Sequence, residues 1–170
     1  MTHATVQTSG PRPAVRFERQ LAQPPEVVWR ALTDPEELRS WFPSDIVTEE
    51  WKVGAALTFP FREHDAPGFT GTVLELDAPR LLVYTWGDDT LRFELTPNSS
   101  GGTILVLTDE LAAGIAARNA AGWEVCLERL AGHAPGDNAW KPLFDHYVAA
   151  FEPALGPQQG PPPGFEDGSH

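Results

Sequence analysis

The sequence is poor in cysteine and in long apolar runs. Its 170 residues include one cysteine, Cys126, so an intrachain disulfide is excluded. No stretch approaches the roughly 20 apolar residues that a membrane-spanning helix needs. The first thirty residues also contain no apolar run of signal-peptide length. These absences predict a chain that does not insert into a membrane, and they favour a cytoplasmic location.

Positive charge is scarce as well. Lysine and arginine together number 12 against 24 aspartate and glutamate residues, which gives a formal net charge of −12. Affinity for nucleic acids depends largely on basic side chains that neutralise phosphates, and the sequence contains no basic stripe. We therefore expect no nucleic-acid partner.

Motifs for catalysis, cofactors and metals are missing too. There is no glycine-rich phosphate loop, no G-x-S-x-G nucleophile elbow, and no histidine or cysteine spacing typical of a metal site. His64 and Asp65 are neighbours in a predicted loop, where adjacent side chains diverge, and Asp145 and His146 are expected at the surface of a helix. Cys126 lies beside an apolar helical stripe, which is typical of an inert buried thiol. The sequence thus indicates no metal, no cofactor and no catalytic residue.

What the sequence does have is an apolar fraction of 41% and six tryptophans. A chain of this length and composition can bury a sizeable core. Aromatic side chains contribute large apolar areas, so that core, or a pocket in it, is built from flat rings. We predict one domain over residues 14–152, with a disordered leader at 1–13 and a disordered tail rich in proline and glycine at 153–170.

The hydrophobic periodicity predicts an α+β fold. Alternation over residues 14–21 indicates a strand, and two short helices follow, the second capped by Asp34. Turns then recur about every ten residues without an intervening helix, which favours an antiparallel meander. Trp123, Leu127 and Leu130 have helical spacing, and an amphipathic helix is predicted over 140–151. The predicted strands of the meander are 57–61, 69–76, 81–86, 91–95 and 103–108.

Several segments resemble one known family. PPEVVWRALTDPEELRSWF at 24–42 resembles the opening signature of the activator of heat-shock-protein ATPase homologue-like family, a branch of the START-like superfamily. LLVYTW at 81–86 and GWEVCLERLAGH at 122–133 are similar to a later strand and to the long helix of that family. The resemblance implies a helix-grip fold, in which a curved antiparallel sheet wraps around a long C-terminal helix. One departure is local, because Ala55 stands where the family usually has the second of two glycines.

The resemblance also implies a cavity between the sheet and the long helix that binds a small hydrophobic or amphipathic molecule. Alternation places strand residues on one face but does not say which face turns inward. Glu75, Tyr84 and Glu94 are candidate polar groups that would orient a ligand, although both glutamates also fit solvent-exposed positions. The candidate cavity residues are Trp41, Phe59, Phe61, Tyr84, Trp86, Phe93, Trp123, Leu127 and Leu130.

Two alternatives to a binding function stay open at this point. A cyclase- or hydrolase-type enzyme would use Tyr84 or Glu94 as acid or base, and it requires that group to be buried with a shifted pKa. A chaperone cofactor, another protein partner or a homodimer would require a large exposed apolar patch, for instance an undocked helix over 140–151.

Overall fold

The computed structural model describes residues 3–60 and 68–160, so Phe61, His64 and Asp65 lie outside the described residues. Within these two ranges the chain forms seven strands and four α-helices, with one short 3-10 turn before the third helix. In chain order the elements are β1 (Thr5–Gln7), β2 (Ala14–Leu21), α1 (Pro25–Thr33), α2 (Pro35–Leu38), β3 (Ala56–Phe59), β4 (Phe69–Asp77), β5 (Leu81–Trp86), β6 (Asp89–Pro97), β7 (Thr103–Glu110), the 3-10 turn (Ala113–Ile115), α3 (Ala116–Leu130) and α4 (Trp140–Leu155).

All seven strands join one antiparallel sheet in the order β1-β2-β7-β6-β5-β4-β3. Strands β3 to β7 follow one another as a meander, and β2 closes the sheet by pairing with β7 along its whole length. A register shift between Val73 and Glu75 marks a bulge in β4, and bulges bend a strand. The predicted α+β fold with a curved antiparallel sheet is confirmed.

The pairing register determines which residues share the face that α3 covers. Tyr84 pairs with Leu91, and Leu91 pairs with Asp109. Phe93 lies two residues after Leu91 on β6, on the same face, and pairs with Leu107. All five residues are at most 1% exposed. We call this buried side of the sheet the inner face, and the opposite side the outer face.

The two short helices bring aromatic residues to the edge of the inner face. The Asp34 side chain accepts hydrogen bonds from the backbone N–H groups of Glu36 and Glu37 at 2.9 and 3.3 Å, which confirms its predicted capping role. Helix α2 ends at Leu38, before Trp41 and Phe42. Trp41 is nevertheless buried, because its indole Nε1 donates to the Ala31 carbonyl at 2.7 Å and fixes the ring under α1.

Both ends of the described chain carry structure that composition does not reveal. Strand β1 lies inside the segment predicted as a disordered leader, and it pairs with the edge of β2. Helix α4 continues to Leu155 through Pro153, within the predicted tail. Beyond it, the Gln158 side chain accepts from the Ala117 N–H at 2.8 Å and caps the first turn of α3. Edge pairing and capping depend on partners that are distant in sequence, so local composition does not report them.

Helix α3 lies between the sheet and α4. Trp123 and Leu127 are buried on the side that faces the sheet, as their spacing predicted. Helix α4 packs against α3 and buries Trp140, Tyr147 and Phe151. Of the helices in the described ranges, none combines the length and apolar character required to cross a bilayer.

Candidate functional site on the inner face

A cluster of aromatic rings occupies the space between the inner face, α3 and the segment after α2. Phe42 lies at its centre, with ring centroids 5.3 Å from Trp41, 5.5 Å from Trp123 and 6.4 Å from both Phe59 and Trp86. These are contact distances for aromatic pairs. Residues from three separate parts of the chain thus build one aromatic lining.

Tyr84 extends this lining along the sheet and brings a polar group into it. Its ring lies 5.9 Å from both Phe59 and Phe93 and 6.0 Å from Trp51. The residue is 1% exposed, and within residues 3–60 and 68–160 its hydroxyl has no hydrogen-bond partner. Burial raises the pKa of Tyr84 well above its ordinary value. The hydroxyl therefore stays protonated and is available to a hydrogen-bonding group placed beside it.

The structure brings most of the predicted cavity residues together on this side of the sheet. Leu127 is 1% exposed and covers the same core, whereas Leu130 is only partly buried at the end of α3. Phe42, which was not among the candidate cavity residues, is the central ring of the cluster. The residues that meet there are Trp41, Phe59, Tyr84, Trp86, Phe93 and Trp123.

Glu75 and Glu94 are not polar groups of the interior. Both lie on the outer face, where Arg92 binds them at 3.2 Å with its Nη1 and Nε atoms respectively. Their side chains are 54% and 45% exposed. The proposal that either glutamate orients a ligand inside the fold is wrong, because alternation puts both on the same side of the sheet as Arg92.

Two other acidic residues do reach the interior. Asp89 begins β6 and is 5% exposed, and Asp109 lies near the end of β7 and is fully buried. The Asn119 amide donates to Oδ2 of Asp89 at 3.0 Å, and the Trp123 indole N–H donates to Oδ2 of Asp109, also at 3.0 Å. The two carboxyl groups lie close enough for each to affect the pKa of the other, and Oδ1 of Asp109 has no hydrogen-bond partner among the described residues. Side chains of α3 thus hold a buried pair of carboxyl groups against the sheet.

The environment of this pair favours the protonated form. Burial raises the pKa of Asp109 well above its ordinary value, and the negative charge of Asp89 raises it further. Burial also raises the pKa of Asp89. Two ionised carboxylates only accept hydrogen bonds, so their contact becomes a hydrogen bond when one of them carries a proton. We infer that the pair retains one shared proton at a pH where exposed carboxyl groups are ionised.

The predicted strands were too short to include this pair. Thr108 was the last residue of one predicted strand, and Asp89 fell in a predicted turn. The alternation of Leu105 and Leu107 continues to Asp109, so a longer strand would have placed that carboxyl on the inner face. The signal was present, but charged residues are normally taken as the ends of strands.

A third buried acid has a different environment. Glu124 on α3 is fully buried, and its Oε1 accepts a hydrogen bond from the Tyr147 hydroxyl and lies 3.1 Å from Nδ1 of His3. The Tyr147 hydroxyl in turn accepts from the Ala4 N–H at 2.8 Å. This cluster links α3, α4 and the start of the chain. Both contacts are made to Oε1, and the buried Oε2 of Glu124 has no hydrogen-bond partner in the described part of the chain.

The remaining predictions concern reactive and metal-binding groups. Cys126 is buried, and Asp145 and His146 are exposed on α4, as predicted. Within the described ranges, no group of three or more histidine, cysteine or acidic side chains has the geometry to hold a metal ion.

Residues 22–134 match the sequence pattern of a family described as Activator of Hsp90 ATPase homolog 1-like protein. The chain belongs to this family. The match extends from α1 to the end of α3, and it therefore contains the aromatic lining and both members of the carboxyl pair. No curated protein matches the sequence of this family member.

Solved structures with the same fold cover nearly the whole chain. EF2215 from Enterococcus faecalis, a conserved protein of unknown function, aligns with a TM-score of 0.71 at 22% identity, covering 86% of this chain and 89% of its own. CalU16 from Micromonospora echinospora aligns with a TM-score of 0.70 at 19% identity, covering 90% and 94%. DynU16, from the dynemicin biosynthetic locus, aligns with a TM-score of 0.60 at 25% identity, covering 70% and 46%. These similarities establish the START-like helix-grip fold.

Proposed function

We propose that this protein binds a small hydrophobic or amphipathic molecule between the inner face and α3. The observation that carries the proposal is the aromatic lining around the Tyr84 hydroxyl, a buried polar group without a partner in the described chain. Ligand sites are typically apolar, with a few polar groups that fix the orientation of the ligand. The buried indole N–H of Trp86 also lacks a partner within the described ranges and provides a donor.

The packing of the rings indicates how a ligand would be accommodated. Their centroids lie 5.3 to 6.4 Å apart, so the rings contact one another. A ligand would replace some of these ring contacts with its own, and a flat apolar molecule does so with the least loss of contact area. The similarity to DynU16, a protein of the dynemicin biosynthetic locus, adds natural products to the classes of ligand worth testing.

A protein-interaction role receives less support. That role required an exposed apolar patch such as an undocked terminal helix. Helix α4 instead packs on α3, with Trp140, Tyr147 and Phe151 buried. A homodimer built on the apolar stripe of α4 loses support for the same reason. We place the binding function in the cytoplasm, in keeping with the single buried cysteine.

One observation favours an enzymatic alternative in part. The enzyme hypothesis required a buried phenol or carboxyl group with a shifted pKa, and Tyr84 meets that requirement whereas Glu94 does not. A phenol with a raised pKa donates a hydrogen bond but is a poor base at neutral pH. Asp109 supplies a buried acid near the same lining. Any ligand that binds should therefore also be tested for turnover by the wild type and by Tyr84→Phe.

The direct test is a ligand panel followed by melting temperature and tryptophan fluorescence. The panel contains fatty acids, sterols, flavonoids and polyketide-like aromatic compounds. We expect at least one class to quench fluorescence saturably and to raise the melting temperature, since a ligand of the native state stabilises it. Tyr84→Phe should weaken binding of a hydrogen-bonding ligand by about 2- to 10-fold, the equivalent of one hydrogen bond.

The control for this test is Leu74→Ala, because Leu74 is 45% exposed and removed from the inner face. This variant should bind like the wild type. The proposal fails if no compound in the panel changes either signal. It also fails if Leu74→Ala weakens binding as much as Tyr84→Phe does.

A further inference from the structure

The buried carboxyl pair carries negative charge without a paired cation. In the described part of the chain, neither Asp89 nor Asp109 forms an ion pair. The nearby Arg12 donates to the Asp88 carbonyl at 2.5 Å, and Arg118 donates to the Gly160 carbonyl at 3.4 Å. Both guanidinium groups influence Asp89 only through space. Even with one shared proton, the pair retains a net negative charge in a buried setting, and such a charge is costly unless a cation meets it.

Indole rings flank the pair on the side of the aromatic lining. Trp123 is hydrogen-bonded to Asp109, and the Trp86 ring lies 5.5 Å from the Trp123 ring. Trp86 is also the cross-strand partner of Asp89. Indole faces attract cations through the ring quadrupole, most strongly where water is excluded. Carboxylate and indole together form the kind of environment that binds an organic ammonium group.

Tyr84 gives an independent indication of a missing polar ligand group. It comes from a different strand, and the register puts it on the same row of the inner face as Asp109, with Leu91 between them. Its hydroxyl is buried and, in the described part of the chain, lacks a hydrogen-bond partner. The hydroxyl oxygen is an acceptor for an N–H donor. Tyr84 and the carboxyl pair therefore both place acceptor atoms on the inner face, beside the aromatic lining.

We propose that Asp89 and Asp109 select an apolar ligand that carries a basic amine, whose ammonium group pairs with them beside Trp86 and Trp123. This inference rests on the proposed function and specifies its ligand class. An anionic amphiphile such as a fatty acid is disfavoured, because its carboxylate would meet two carboxyl groups. A neutral ligand of the same shape gains the aromatic contacts but not the charge interaction.

Three probes of matched shape separate these possibilities: naphthylethylamine, naphthylethanol and naphthylacetate. Isothermal titration calorimetry on the full chain measures the affinity of each. We expect the amine to bind at least about tenfold more tightly than the alcohol, and the acetate to bind most weakly. Equal affinities for amine and alcohol would overturn the amine inference and leave the proposed function standing. Absence of binding by all three, together with no response in the ligand panel, would overturn both.

Variants of the two aspartates test whether these residues cause the preference for the amine. Because the pair shares one proton, a single Asp→Asn change leaves one carboxylate charged, so the double variant Asp89→Asn/Asp109→Asn is needed to remove the charge. In this double variant the amine should bind no more tightly than the alcohol. Asp77→Asn, at a carboxyl paired with Arg80 on the exposed end of β4, should retain the preference for the amine. Should a variant fail to fold, as judged by its melting curve, the wild-type ranking of the three probes still decides the question. An amine preference that persists in the folded double variant would contradict the assignment.

Discussion

Strand β6 places two kinds of charge on its two faces, and their surroundings differ sharply. On the outer face, Arg92 and Glu94 form an ion pair at 3.2 Å, with side chains 41% and 45% exposed. On the inner face, Asp89 is 5% exposed and shares its environment with Asp109 and aromatic rings. Water screens the outer pair, so its energy is small, whereas burial shifts the protonation of the inner pair. Glu94 and Asp89 lie on the same strand, but they face opposite sides of the sheet. The face on which a carboxyl group lies therefore decides whether its pKa is shifted.

The largest expected effect comes from removing inner-face packing. Phe93→Ala should lower the free energy of unfolding by about 3–5 kcal/mol, because it deletes a fully buried ring and leaves a cavity. Urea denaturation followed by circular dichroism measures the change. Thr96→Ala, at an exposed site on the same strand, should stay within about 0.5 kcal/mol of the wild type. Equal losses in the two variants would show that β6 has no structural inner face.

The next effect concerns the indole that holds the pair. Trp123→Phe removes the N–H donated to Asp109 and should cost about 0.5–1.5 kcal/mol where that carboxyl keeps its proton, and about 1.5–3 kcal/mol where it is ionised. The loss should be greater at alkaline pH, because the missing donor stabilised the ionised carboxylate. Denaturation curves at several pH values provide the measurement.

Trp51→Phe is the matched control for the indole prediction. Its indole N–H donates to the Thr33 carbonyl at 3.0 Å, a neutral acceptor. The loss in this variant should stay at about 0.5–1.5 kcal/mol at every pH, and it should be the smaller of the two at alkaline pH. A Trp123→Phe loss that is equally flat with pH would contradict ionisation of Asp109.

The pair should also make the stability of the wild type depend on pH. Because the pKa of Asp109 is raised by folding, the native state binds more protons than the unfolded state above the ordinary pKa of 3.8. This contribution to stability is complete below that value and is lost as the pH rises through the folded-state pKa, with a slope of at most about 1.4 kcal/mol per pH unit for one proton. Melting temperatures measured across the acid-to-neutral range record the loss.

Asp109→Asn should flatten this pH dependence, because an amide does not titrate and can donate a hydrogen bond to Asp89 without taking up a proton. Asp77→Asn, at a carboxyl that is 51% exposed, should leave the slope of the wild type unchanged. A wild-type slope that persists in Asp109→Asn would assign the titration to other groups.

The smallest effect belongs to the outer face. Arg92→Ala removes both ion pairs to Glu75 and Glu94 and should change the free energy of unfolding by about 1 kcal/mol or less. The difference from the wild type should shrink further in high salt. A loss as large as that of Phe93→Ala would mean that the outer ion pairs are energetically equivalent to the core, contrary to the comparison.

The sequence predicted the fold well because the fold follows from local patterns. Alternation in β5 and β6, the Asp34 cap and the helical spacing of Trp123 and Leu127 all matched the structure. Aromatic candidates were also brought together, since large apolar side chains are driven to the same core. The polar part of the site was predicted less well. Glu94 and Asp109 look alike in sequence, and only the strand register separates the outer face from the inner one.

The most direct test of the account is where a ligand touches the protein. Indole N–H signals in nuclear magnetic resonance spectra, assigned by single Trp→Phe variants, report separately on the interior rings and on Trp140 of α4. On titration with naphthylethanol, we predict saturable shifts of the Trp86 and Trp123 signals and an unchanged Trp140 signal. Shifts confined to Trp140, or none at all with this probe and with naphthylethylamine, would contradict a binding site on the inner face.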